Sequence, residues 1–369
     1  MKKVLFVATV VKMHVMVFHI PYLELFKKKG YEVHVCAQND YENSEDCIIP
    51  FCDKFYDVPL SRSPFNGKNI KAYRQLQEII INNKYDIIHC HTPVGGVLTR
   101  IAAKKARKEG TKVIYTAHGF HFFKGAKIIN WILFYPIERW LARYTDVLIT
   151  INKEDYDRVK KFKAKKVVFV PGVGVDTKKY KVDVNRDEKR RDLGIPINSF
   201  VILSVGELSK RKNFEVIIRA LAKINNSDIK YIICGKGHLQ KYLSKLATEY
   251  KVDVIFLGFR SDINEICSIS DLFAFPSYQE GLPVALLEAM AAGLPIVCSN
   301  IRGNTDLIED NIGGFLSKPD DVNKFALNIE KVQRDIAIRQ QMKNSNLKKI
   351  VQYDMNTVCE TMKNIYEQL

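Results

Sequence analysis

The sequence predicts an α/β protein of two doubly wound parallel sheets, and three observations predict it. At 369 residues the chain is longer than one hydrophobic core usually supports. Short β-branched runs alternate with helical patterns, first over residues 1–170 and again from Ser199 onward, and strict alternation of that kind builds parallel sheets covered on both faces. Between the two series lies a charged stretch, Lys178 to Arg191, that reads as a linker. The expected division is therefore residues 1–180 and residues 181–353.

In the first series, Val4 to Val10, Glu32 to Ala37, Asp86 to His91, Lys112 to Ala117, Val147 to Ile151 and Val167 to Val170 read as strands. Ligands of such sheets bind outside the carboxyl ends of the strands, so the loops that follow each strand are where function is sought. The loop Val11 to His14 has none of the glycines of a dinucleotide fingerprint, which disfavours a nicotinamide or flavin enzyme. In HCHTPVGG, His89 and His91 fall on one side of a strand and suit a metal pair. No third ligand stands at a suitable spacing, and Thr92 with Pro93 reads as a strand exit, so no metal site is expected. The segment TAHGFHF places His118, followed by Gly119, at a strand's carboxyl end; a histidine satisfied by backbone is the plainer alternative.

The passage HFFKGAKIINWILFYPIERWLARY interleaves aromatic residues with Lys124, Lys127, Arg139 and Arg143 and holds both tryptophans, Trp131 and Trp140. Such a mixture suits the headgroup level of a bilayer, stacks bases equally well, and also fits an ordinary packed helix. Its longest charge-free apolar run, Ile128 to Ile137, is too short for the roughly 20 residues of a membrane span. Asp155-Tyr156-Asp157 matches an acid-x-acid metal pattern, but it opens the helix Lys153 to Phe162, where acidic residues complement the helix dipole.

The second series places strands at Phe200 to Val205, Ile229 to Cys234, Val254 to Phe259, Leu272 to Phe275 and Ile296 to Ser299. Its first loop, VGELSKRKNFE, sets Lys210, Arg211 and Lys212 just before a helix, where cations and free N–H groups together grip phosphate. The most informative stretch is AFPSYQEGLPVALLEAMAAGLPIVCS, from Ala274 to Ser299. It reads as strand end, tight loop, helix with Pro283 as its first residue, a stop at Gly293 and Pro295, and strand. Every residue from Val284 to Ala292 is apolar except Glu288, which implies a buried helix carrying one carboxylate. That carboxylate must meet a cation or accept hydrogen bonds from hydroxyls, because an unpartnered buried charge is too costly to keep. Glu280 sits just ahead of the helix, beside free N–H groups and a positive dipole end. The plainer alternative is an exposed loop glutamate and a core salt bridge.

Charge is distributed unevenly. Of 57 Lys and Arg and 41 Asp and Glu, residues 1–181 hold 32 and 17, leaving 25 and 24 for the remainder. The basic first half points to an anionic surface or substrate, phospholipid or nucleic acid, with a solvated basic face as the alternative. Eight cysteines without zinc-type spacing fit a reducing compartment, and the opening MKKVLFVATVVK is broken by Lys12 and reads as a strand and not a signal peptide.

The pair Glu280 and Glu288 in EGLPVALLE, with VGELSKRKN, TAHG and VPGVGVD, resembles the bacterial glycosyltransferases of family 4 over nearly the whole chain. The resemblance implies the GT-B architecture, two facing Rossmann-like domains with a cleft between them. It makes residues 1–180 acceptor-binding and 181–353 the nucleotide-sugar domain, with a C-terminal helix, about 354–369, crossing back to the first. It implies that Glu280 lies by the donor sugar with the loop Gly281, Leu282, Pro283, that Glu288 holds ribose hydroxyls, and that Lys212, aided by Arg211 or Lys210, binds the diphosphate. His118 would line the sugar pocket, and Val11 with Lys12 stand where the family has its first-loop glycines. Glu207 occupies a position where the family often has Arg.

From these follow the expectations about function. The reaction is hexosyl or N-acetylhexosaminyl transfer with retention from a UDP-linked donor, without metal or other cofactor, with Glu280 and His118 as the catalytic pair. The acceptor is an undecaprenyl-diphosphate-type lipid-linked sugar in exopolysaccharide or capsule synthesis. The location is cytoplasmic, peripheral at an anionic inner membrane face, with no nucleic acid bound. A sugar-nucleotide epimerase and a basic nucleic-acid-binding protein are the alternatives.

Overall fold

The computed structural model describes residues 1–369, which form two compact units: Met1–Gly172 with Cys359–Leu369, and Val173–Val358. The first unit is built on a seven-stranded sheet. Its strands are β1 (Lys3–Val10), β2 (Glu32–Gln38), β3 (Lys54–Asp57), β4 (Ile87–His91), β5 (Lys112–Ala117), β6 (Val147–Thr150) and β7 (Lys166–Phe169). Their order is β3-β2-β1-β4-β5-β6-β7, parallel throughout, so the chain reverses its winding direction at β1 and β4. The second unit has six parallel strands: β8 (Phe200–Val205), β9 (Ile229–Cys234), β10 (Val254–Gly258), β11 (Leu272–Phe275), β12 (Ile296–Ser299) and β13 (Gly314–Ser317). Their order β10-β9-β8-β11-β12-β13 puts the second switch at β8 and β11. Both sheets are therefore Rossmann-like, and the loops after β1, β4, β8 and β11 are the ones such folds use for ligands.

The central strands are buried on both faces, as continuous runs such as LFAF in β11 require. The strands missing from the expected series, β3 and β13, lie at sheet edges, and their four-residue segments KFYD and GFLS carry no long apolar run. In the first unit, Arg100 is wholly buried, stacks on the Tyr115 ring at 3.9 Å and donates to Glu138 Oε2 at 2.8 Å. Removing one partner of such a pair strands the other charge, a loss of about 3–5 kcal/mol.

The charged stretch is not a linker. Thr177–Tyr180 and Arg186–Asp192 are helical and belong to the second unit, with Tyr180 and Arg190 buried. The Arg190 guanidinium donates to the carbonyls of Ile197, Ser199 and Ile269 and to Asp271, which converts a charge run into a clasp under β8 and β11. The terminal helix Met355–Glu367 returns its last turns to the first unit, where the Tyr366 hydroxyl meets His89 Nδ1 at 2.8 Å and Glu367 pairs with Lys29.

Candidate active site

In the second unit, the loops after β8 and β11 are tied to each other before any side-chain chemistry is considered. Tyr278 N donates to Arg211 O at 2.9 Å, and the Asn213 side chain donates to Pro276 O at 3.1 Å. Gly206, at φ +153°, lets the chain turn where Lys212 lies against it, since a Cβ there would stand 2.9 Å from Lys212 Cε.

The two loops bring together the residues that spacing had singled out. Lys212 Nζ and Arg211 Nη1 each donate to Glu280 Oε1 at 2.8 Å, and Lys212 Nζ lies 4.5 Å from the Phe275 ring centroid. Lys212 is buried, and burial lowers its pKa against the opposing pull of Glu280. Lys210 and Glu207 are exposed. Glu280 meets side-chain cations rather than the free N–H groups expected of it. Its backbone carbonyl accepts from Arg302 Nε at 3.0 Å, and Gly303, at φ +82°, lets Gly281 O approach where a Cβ would be 2.4 Å away. Gly281 is half-buried, Leu282 and Pro283 are buried, and Pro283 caps the helix Val284–Ala291 instead of opening it.

That helix is not buried all round. Val284, Ala285 and Glu288, at spacings of one and four, form a half-buried stripe along the side that faces away from the sheet core. Glu288 finds the hydroxyl partner that burial demands in Tyr180, with Lys179 as the nearest cation. Burial still raises its pKa above the ordinary carboxylate value. Tyr180 carries no signal in the sequence because it lies near the start of the charge run Lys178 to Arg191; Arg302 carries no motif at all.

In the first unit, the carboxyl ends of β1, β4 and β5 hold five histidines. His89 is satisfied, Nδ1 by Tyr366 and Nε2 by the Thr116 hydroxyl, each at 2.8 Å. His91 Nδ1 stands 3.3 Å from His118 Nε2, and the rings of His14 and His118 lie 4.8 Å apart, those of His19 and His91 3.8 Å. His118 is thus held by side chains and not by backbone. His14 and His19, in the segment after β1, had no sequence pattern to mark them. Burial lowers the pKa of His14 to about 4 and of His89 to about 3, and holds His19, His91 and His118 far below the usual imidazole range. Val11 is buried and opens a wide π-type turn, Val11–Val15. Lys12 is exposed, and its backbone N–H donates to Asp40 Oδ1 at 2.6 Å, with that of Met13 to Oδ2 at 3.4 Å. Both amides are therefore already engaged. Asp155 is buried and accepts from Phe120 N, a loop-holding role beyond the helix-dipole one expected of it.

Two Rossmann-like units, with a buried lysine and an E-x7-E pair on the loops after β8 and β11, define a glycosyltransferase of the GT-B type. The family described as Glycosyl transferase 4-like matches residues 3–152, and Glycosyl transferases group 1 matches residues 185–349. The chain belongs to the family-4 glycosyltransferases of bacteria. It is 38% identical over 99% of its length to the putative glycosyltransferase EpsD of Bacillus subtilis, covering 96% of that protein. It is 33% identical to the UDP-Gal:α-D-GlcNAc-diphosphoundecaprenol α-1,3-galactosyltransferase of Escherichia coli, over 85% of this chain and 83% of that one. Among solved structures, Anabaena Alr3699/HepE in complex with UDP-glucose superposes with a TM-score of 0.82 at 21% identity, all of both chains being covered, a likeness of fold.

Proposed function

We propose that the chain transfers a hexose or N-acetylhexosamine from a UDP-linked donor, with retention, to a lipid-diphosphate-linked sugar in exopolysaccharide or capsule synthesis. The observation that carries this reading is the cluster of Lys212, Arg211 and Glu280 across two neighbouring loops, with Glu288 eight residues further on along the same segment. Lys212 and Arg211 shift from Glu280 onto the donor diphosphate and stabilise the charge that grows on it as the sugar departs. Freed of them, Glu280 takes hydroxyls of the sugar, and Glu288 exchanges the Tyr180 hydroxyl for, or shares it with, those of ribose. No metal is needed at the diphosphate, since two cations already stand there. Attack and departure on one face of the sugar, with the leaving phosphate taking the acceptor proton, gives retention without a protein nucleophile. Glu280 and His118 act by placing and stabilising rather than by bonding.

The acceptor reading draws support from the first unit. The helix Ile128–Leu141 is anchored through Glu138 while Ile128, Ile132, Ile137 and Trp140 are exposed beside Lys124, Lys127, Arg139 and Arg143. Next to it, Phe65, Leu98, Phe122 and Phe134 help line an apolar cavity of about 320 Å³. No helix is long and apolar enough to cross a membrane. That face suits the interface of an anionic bilayer, where a lipid-linked acceptor resides. The relative from Escherichia coli is named for such an acceptor.

The test is transfer from a panel of UDP-sugars to an undecaprenyl-diphosphate-linked sugar, with the anomer of the product read by NMR. Wild type forms an α-linked product from an α-donor, and Glu280→Ala, correctly folded, loses nearly all transfer. Full transfer by Glu280→Ala would sink the reading. Isomerised donor appearing without acceptor would point to an epimerase instead.

A further inference from the structure

Three of the five clustered histidines satisfy the conditions for a metal centre, and of the three only His118 has a part in the sugar-transfer reading. His14 and His19 come from the segment after β1 and His118 from the end of β5. The three offer ligand nitrogens that all lie within 4.8 Å of one another. In a tetrahedral site with metal–nitrogen bonds of about 2.0–2.1 Å, ligand nitrogens stand roughly 3.4 Å apart, so the widest pair must close by roughly 1.4 Å. Binding the ion therefore requires the side-chain torsions of these residues to shift by that much.

The second observation is independent of spacing. His19 is 1% exposed, yet neither of its ring nitrogens has a hydrogen-bond partner; His14 Nδ1 and His91 Nε2 are equally buried and unpartnered. A neutral imidazole has one N–H and one lone pair, and leaving either buried and unmatched is costly. His89, two residues along β4 from His91, shows what a merely structural histidine looks like here, with both nitrogens bonded. The ligand nitrogens of His14, His19 and His118 lie close enough together for one ion to be held by all three.

We propose that His14, His19 and His118 form a binding site for a borderline-soft divalent cation, zinc first among them. Three imidazoles select zinc, copper, nickel or cobalt over magnesium or calcium, which prefer oxygen. His91, set against both the His19 ring and His118 Nε2, is a positioning residue for two of the ligands. The ion would fasten the turn after β1 to the loop after β5. With it bound, His118 meets a substrate as a metal-held ring and not as a proton donor.

The experiment is metal content by mass spectrometry. The full-length protein is stripped with a chelator, loaded with Zn²⁺ in the presence of excess Mg²⁺, and passed through gel filtration. One Zn²⁺ per chain is expected, with a rise in Tm on loading and, for Co²⁺, a visible ligand-field band of a tetrahedral nitrogen site. His19→Asn and His14→Ala should each weaken Zn²⁺ binding by more than about 100-fold, beyond what loss of an outer-shell partner costs. His238→Ala, an exposed histidine of the second unit, should leave it unchanged. Wild-type protein that keeps no Zn²⁺, or that binds it as tightly after His19→Asn, overturns the proposal. Because the readout is bound metal and Tm, failure here leaves the sugar-transfer reading standing, and the reverse.

Discussion

Lys212 keeps its ammonium between a carboxylate and an aromatic face, and burial has already drawn its pKa below the ordinary lysine value. An ammonium so placed has little water to lose on meeting a diphosphate. Charge-assisted hydrogen bonds of this kind contribute about 1.5–3 kcal/mol. Lys212→Met, which preserves packing on Phe275, should therefore weaken UDP binding by at least about tenfold, measured by calorimetry. Glu288 allows a prediction with a sign. Its folded pKa is raised by burial, so between the unfolded value of 4.5 and that folded value the native state holds a proton the unfolded chain has released. Stability is then lost as pH rises through that window. Glu288→Gln should match wild type in Tm near pH 4, exceed it at pH 7, and bind UDP more weakly. A Tm difference that does not grow with pH would contradict the assignment.

Among the elements, the glycines where the loops after β8 and β9 meet and the exposed helix Ile128–Leu141 each carry a prediction. Gly235, at φ +148°, faces Gly206, and a Cβ on it would stand 1.9 Å from Gly206 O. Gly235→Ala should cost about 2 kcal/mol or more in chemical denaturation, since backbone rather than a flexible side chain must move. On the helix Ile128–Leu141, Ile132→Glu should abolish sedimentation with anionic vesicles while leaving Tm nearly unchanged, because Ile132 is 62% exposed. Such elements differ in how far a sequence discloses them. Central strands announce themselves as apolar runs; β3 and β13, short edge strands without such a run, do not. EGLPVALLE disclosed Glu280 and Glu288 because helix and loop sit within one local segment. Tyr180 and Arg302 meet their partners, and His14 and His19 meet His91 and His118, only through long-range packing, for which no local period exists. The half-buried stripe of Val284, Ala285 and Glu288 does not stand out in the sequence because a partly exposed apolar side chain makes the same pattern as one in a core.

For the whole molecule, the basic excess of residues 1–181 sets the character of association more than of folding. Binding to anionic vesicles should fall steeply between about 50 and about 300 mM salt as the Debye length shrinks. Salt-steep binding to oligonucleotides with no response to UDP-sugars would instead favour a nucleic-acid partner. The division of labour between units, a basic first unit with an exposed apolar helix and a second with paired carboxylates and cations, is legible in the composition of each half. Calorimetric titration of the full-length protein with UDP probes the cluster of carboxylates and cations in the second unit. One site per chain is expected, with an affinity at least about tenfold lower in Glu288→Ala, roughly the worth of one charge-assisted hydrogen bond. Equal UDP affinity in the wild type and a folded Glu288→Ala variant would contradict it.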